Sequence, residues 1–210
     1  MQIAFLLFDE ITALDVVGPY EVLARLPQAE AVFVARAPGR VTAGGGLVLE
    51  AQQGLDELPA PDVVVVPGGA GVQRLLADES VLSWLRVAHE TSRWTTSVCT
   101  GALLLGAAGI LNGLRATTHW RSLDLLSSYG AEPVSERVVE AGKVITAAGV
   151  SAGIDFALVL ASRIAGEQIA KAIQLGIEYD PKPPFDCGSP TKAGADLVEL
   201  VSRPPTAPGK

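Results

Sequence analysis

The 210-residue chain is 49% hydrophobic with a formal net charge of −7, enough apolar material for a single α/β domain, which we expect over residues 1–202. That sign of charge argues against a nucleic-acid partner, whose phosphates are held by Lys and Arg, and serves solubility instead. Only two cysteines occur, Cys99 and Cys187, in unrelated surroundings and away from ligand spacing with the two histidines. This speaks against a disulfide framework and a structural metal, and for a reducing, cytoplasmic compartment.

The opening MQIAFLLFDE has an apolar run too short to span a membrane and no flank of a signal peptide, so it reads as a first core strand at 3–8. Further buried parallel strands are predicted at 31–35, 63–66 and 95–98. After Asp15, the residues Val16, Val17, Tyr20, Val22 and Leu23 predict a helix with Gly18 and Pro19 in its opening turn, where proline's missing N–H costs little. Helical spacing recurs at 80–90, and the nearly all-apolar stretch 101–108 predicts a helix buried in the core. Residues 40–51, around Gly44-Gly45-Gly46, and 137–148, turning at Ala141-Gly142, predict β-hairpins added antiparallel to the parallel core. Helices are expected at 152–164 and 167–177, broken at Gly166, then a proline-rich loop at 180–184, a last helix at 193–201 and a disordered tail at 203–210. This alternation of strand and helix specifies a doubly wound, mostly parallel sheet with helices on both faces.

The strongest chemical signal is the β-run that stops at Cys99 and continues through Thr100 and Gly101 as an apolar helix, the pattern of a nucleophile elbow. A sharp turn there lifts the sulfur clear of the sheet, and the following helix start predicts a lowered thiol pKa. The plainer reading is a buried cysteine acting as a small hydrophobe. Gly68 and Gly69, directly after the 63–66 strand, can present amides to a ligand and, with the Thr100 N–H, form an oxyanion-type hole; a simple turn is the alternative. Asp15 is a carboxylate in an apolar stretch, placed either to meet Cys99 across the same sheet end or as an ordinary helix cap. Glu21 could be the acid instead, His119 is a candidate base, His89 reads as an exposed helix residue and Cys187 as a loop residue.

The stretches LDVVGPYEVL at 14–23, VPGG at 66–69, SVCTGA at 97–102, ATTHW at 116–120, AGIDFA at 152–157 and QLGIEY at 174–179 together resemble the ThiJ/PfpI superfamily, and within it the isocyanide hydratases. The resemblance runs over about residues 1 to 200 and departs from the family pattern at Val150-Ser151 and in a shorter tail after Val201. It implies a flavodoxin-like fold, a homodimer, Cys99 as nucleophile, Asp15 as its acid/base partner and Thr100 beside them. The implied reaction adds water to an isocyanide through a thioimidate on Cys99 and needs no cofactor, with Asp15 holding a proton near neutrality through desolvation and the nearby sulfur. Other branches imply a cysteine peptidase or amidase, which would need a histidine beside the nucleophile where this chain has Thr100. They also imply a redox-responsive thiol, or the ligand-sensing domain of a regulator, whose basic DNA-binding helices this sequence lacks.

Overall fold

The computed structural model describes residues 1–203; residues 204–210, most of the tail expected to be disordered, lie outside the described residues. Strand β1 (Gln2–Leu6) leads into helix α1 (Ala13–Leu23), then β2 (Glu30–Ala35), a hairpin of β3 (Gly39–Thr42) and β4 (Val48–Ala51), and the short β5 (Gln53–Gly54). Next come β6 (Val63–Val66), the short α2 (Val72–Leu75), α3 (Glu79–Thr91), β7 (Trp94–Val98) and α4 (Gly101–Ala107). The two-residue strands β8 (Arg115–Ala116) and β9 (Glu132–Pro133) flank a 3-10 helix at Trp120–Tyr129, and β10 (Val138–Ala141), β11 (Val144–Ala147), α5 (Ala152–Ala165) and α6 (Glu167–Gly176) follow. The described residues divide into two compact units, Met1–Glu178 and one that begins at Tyr179. The second holds α7 (Pro190–Ala193) and α8 (Ala195–Ser202), where one helix was expected.

The main sheet runs in the order β10-β11-β7-β6-β1-β2-β5 and is parallel except for β10 against β11. Val63, Val64, Val65 and Val66 are all fully buried, as a strand covered on both faces requires. The fold is therefore α/β and doubly wound, as the alternation predicts. The 137–148 hairpin joins this sheet, but β11 pairs parallel with β7 in the register Ser97↔Thr146. The 40–51 hairpin does not join it, because β3 and β4 pair only with each other.

From β1 the chain proceeds to β2 on one side and then to β6 on the other, so the strand order reverses between β1 and β6. A crevice opens outside the carboxyl ends of the strands at such a reversal. Helix α1 is laid over this end by an aromatic cluster, Tyr20 against Phe5 and Phe33 at ring-centroid distances of 6.0 and 5.3 Å. Its other side rests on α5, where a Cβ on Gly18 would meet Ile154 at 3.1 Å and one on Gly153 would meet the Pro19 ring at 3.1 Å. Gly18 and Pro19 thus lie in the middle of α1 rather than in its opening turn, because the helix begins at Ala13.

Candidate active site

Strand β7 ends at Val98, and Cys99 turns the chain with φ +55° before Thr100 re-enters the right-handed helical region and α4 starts at Gly101. A cysteine held at positive φ stores strain that its surroundings must hold in place. Its N–H donates to the carbonyls of Ala147 and Ala148, each at 3.1 Å, and its carbonyl accepts the Thr118 hydroxyl at 2.6 Å. Gly101 permits the turn, since a Cβ there would collide with the backbone oxygens of Val66 and Pro67.

Asp15 is the third residue of α1, and Thr12, not Asp15, occupies the cap position. Its side chain is wholly buried and leaves the helix for the end of β6, where Oδ2 accepts the Gly68 N–H at 2.9 Å. Oδ1 has no hydrogen-bond partner among the described residues; the carboxyl group also interacts with the Cys99 side chain. Loop and strand end are tied by Thr12 N–H donating to Gly68 O at 2.9 Å and by a bridge between Ile11 and Gly69.

The two glycines connect the carboxylate to the elbow. Gly69 N–H donates to Thr100 Oγ1 at 3.0 Å. A Cβ on Gly68 would lie 2.5 Å from Thr100 N, 2.6 Å from Thr100 Oγ1 and 3.0 Å from Asp15 Oδ2, so no side chain fits there. Gly69 adopts φ +137° with its backbone hard against residues 10–12. Asp15, Gly68, Gly69, Cys99 and Thr100 therefore occupy one locus at the β1–β6 reversal.

Burial pushes the Asp15 carboxyl up to about 7, opposed by the Gly68 amide and the Cys99 side chain. Burial, reinforced by the negative charge of Asp15, pushes the Cys99 thiol up to about 12, opposed by the amides of Thr100 and Val150 and the Thr100 hydroxyl. The expectation of a lowered thiol pKa is thereby overturned: at a nearly closed site beside a carboxylate, desolvation and like charge outweigh the amides of the helix start. The two groups titrate as a pair.

Val150 is a contributor that the sequence did not single out by role. It stands at φ +26°, a true outlier for a β-branched residue, and its N–H is directed at the Cys99 sulfur. The only sequence signal was the departure of Val150-Ser151 from the family pattern, because nothing in a valine advertises positive φ.

Of the remaining candidates, His119 borders the site, next to Thr118 in the chain and with its ring against Gly149, and the others lie away from it. Glu21 is exposed and paired with Arg25 at 2.7 Å. His119 caps the 3-10 helix, its Nδ1 accepting from Arg121 N at 3.3 Å, and its ring covers Gly149, where a Cβ would meet it at 2.6 Å. Burial and then Arg121 lower its pKa. His89 is not merely exposed: it is half-buried, bonded to Thr95 Oγ1 at 2.8 Å at the start of β7, the opposite end of the strand from Cys99. Cys187 is a free, exposed thiol of the C-terminal unit. Among the described residues no three His, Cys, Asp or Glu side chains are grouped to hold a metal ion, and no helix is long and apolar enough to cross a membrane.

The family model described as DJ-1/PfpI family matches residues 1–163. The chain is 48% identical to the isonitrile hydratase of Pseudomonas putida over 199 residues, covering 95% of this chain and 87% of that one. It is 31% identical to the HTH-type transcriptional regulator GbdR of Pseudomonas aeruginosa over 85% of this chain but 51% of the regulator. The crystal structure of a THiJ/PfpI family protein from Pseudomonas syringae superposes with a TM-score of 0.91 at 36% identity, covering 96% of this chain and 86% of that one.

Proposed function

The chain belongs to the DJ-1/PfpI family, and from that premise we propose that it is an isonitrile (isocyanide) hydratase, a hydro-lyase acting on a small molecule. The observation that carries the reading is the sealed Asp15 carboxyl, anchored by the Gly68 amide at Oδ2 and interacting with the Cys99 side chain. The extended identity to the Pseudomonas putida isonitrile hydratase supports the same reaction.

In this reading the resting pair holds one proton above the lower ionisation of about 7, and that proton sits on sulfur, whose hold on it is the tighter. As the sulfur attacks the terminal carbon of R–N≡C, Asp15 takes the thiol proton and passes it to that carbon, giving the thioimidate R–N=CH–S–Cys99. Water adds across C=N to give R–NH–CH(OH)–S–Cys99. Loss of the sulfur, reprotonated through Asp15, releases R–NH–CHO and restores the pair. Amides of Thr100 and Val150 stabilise the sulfur whenever it carries charge, as oxyanion-hole donors do for oxygen. Proton, sulfur and water suffice, so the steps draw on no metal or cofactor.

Amide cleavage is less well served, since the leaving amine needs a proton from a histidine beside the nucleophile. Position 100, directly after the nucleophile, is threonine. A redox-sensing role would require a low-pKa thiolate, the reverse of the thiol held at about 12.

The same reading places the protein in the cytoplasm, where Cys99 stays reduced, and assembles it as a homodimer. Light scattering on the purified chain should return twice the monomer mass. The activity is tested by incubating the protein with small alkyl and aryl isocyanides and following formamide, with Cys99→Ala as control. Formamide from the parent and none from Cys99→Ala is the expected result; a parent inert toward all such compounds would overturn the proposal.

A further inference from the structure

We propose that Thr118 is a positioning residue of the reaction: its hydroxyl, by gripping the carbonyl of Cys99, aims the amide of Thr100 at the sulfur. The inference rests on Cys99 being the nucleophile.

The reasoning starts from the peptide unit between Cys99 and Thr100. Its carbonyl belongs to neither β7 nor α4, so neither ladder satisfies it, and Cys99 is nearly buried. The partner it has is Thr118 Oγ1, at 2.6 Å and 1% exposed. The other end of the same unit is the Thr100 N–H, which donates to the Cys99 sulfur. A trans peptide is planar with its C=O and N–H pointing in opposite directions, and none among the described residues is cis. Holding the oxygen therefore fixes the direction of the hydrogen. Accepting a hydrogen bond at the carbonyl also polarises the unit and strengthens its N–H as a donor.

Thr118 can do this because its own segment is fixed. Thr117 N–H donates to the Thr146 hydroxyl on β11 at 2.9 Å, and Ala116 O accepts from Val134 N at 2.8 Å. Since β11 pairs with β7, the grip on Cys99 comes from a neighbour of the same sheet. The amide of Cys99 is held from β11 as well, through Ala147 O and Ala148 O. Both faces of the strained turn are thus clamped by groups remote in sequence, as a residue at φ +55° needs.

The test is Thr118→Val, which keeps the shape and removes the hydroxyl, with Thr118→Ser as the conservative variant. Valine should lower kcat by roughly ten- to a hundredfold, the scale of a misaimed catalytic group, with KM within about twofold. It should also slow alkylation of Cys99 by iodoacetamide at pH 8 by about tenfold, the loss of roughly one charge-assisted hydrogen bond, while serine restores both. Alkylation needs no isocyanide, so it separates this proposal from the assignment of substrate: slowed alkylation in valine with a parent inert to isocyanides upholds the first and defeats the second. A lowered melting temperature with parental alkylation rates would mean a merely structural threonine and overturn the proposal. Should valine fail to fold, Thr118→Cys, a weaker donor, must fall below serine in alkylation rate; equality with serine overturns the proposal.

Discussion

Asp15 is anchored at one oxygen only: Oδ2 accepts the amide of Gly68 at 2.9 Å while Oδ1, equally sealed from water, meets no nitrogen or oxygen donor among the described residues. A buried carboxylate bound by a single amide is under-solvated, which is why it holds a proton up to about 7.

The folded chain therefore binds this proton more tightly than the unfolded chain, whose carboxyl lies at the ordinary value of 3.8. Between those two values the native state carries a proton that the unfolded state lacks, so stability falls as pH rises through this window and levels above it. Asp15→Asn is neutral throughout and escapes the loss. At pH 8 it should melt about 5 to 10 °C above the parent, from a few kcal/mol at a few degrees each, and the two should converge near pH 4. Scanning calorimetry at both pH values checks this, and a variant less stable than the parent at pH 8 would contradict it. The same variant should lose about a hundredfold or more in formamide production, as removal of a general acid–base does.

The pair's titration sets the direction of the rate profile. Below about 7 both Asp15 and Cys99 are protonated, and the occupied carboxyl cannot accept the thiol proton. Above it one proton remains, and the thiol ionises only near 12. Plotted against pH, kcat/KM should rise through about 7 and stay level beyond pH 9. A profile falling through neutrality would mean that Asp15 enters the reaction protonated, and the proton route would need to be reversed.

Gly68→Ala tests the closure of the site. Its Cβ would stand 2.5 Å from the Thr100 amide nitrogen and 3.0 Å from Asp15 Oδ2, so backbone must shift. Overpacking of this kind costs about 1–3 kcal/mol, and displacing Asp15 from Thr100 should lower turnover at least about a hundredfold. Urea denaturation and the formamide assay read the two effects.

Glu21 offers the contrasting case, a carboxylate on the same helix with its partner Arg25 in solvent. Glu21→Gln should leave kcat within about twofold and stability within about 0.5 kcal/mol. A large loss of turnover would move the acid away from Asp15.

Much of the sheet can be read without coordinates, because a strand buried on both faces must be apolar throughout, and the 63–66 run is valine at every position. The elbow is equally visible, as a β-run halting at a cysteine before small and apolar helix residues. The start of α1 is harder to read: Pro19 suggests an opening turn, yet the helix begins at Ala13 and carries the proline ring in its middle, against Gly153 on α5. Local propensity has no knowledge of that partner. The positive φ of Val150 and the grip of Thr118 on the Cys99 carbonyl escape as well, the second being a bond between residues 19 apart in the chain.

Composition and order of residues specify that this chain folds as a doubly wound sheet and which side chains arrive at the carboxyl ends of β1, β6 and β7, since burial and chain direction depend on local pattern. They leave open how those side chains behave on arrival. Helix-start reasoning places a reactive thiolate at Cys99, whereas the assembled site raises that thiol and hands Asp15 the lower ionisation. Desolvation and the charge of a neighbour are properties of enclosure, and enclosure exists only once residues 15, 68, 99 and 150 have been brought together.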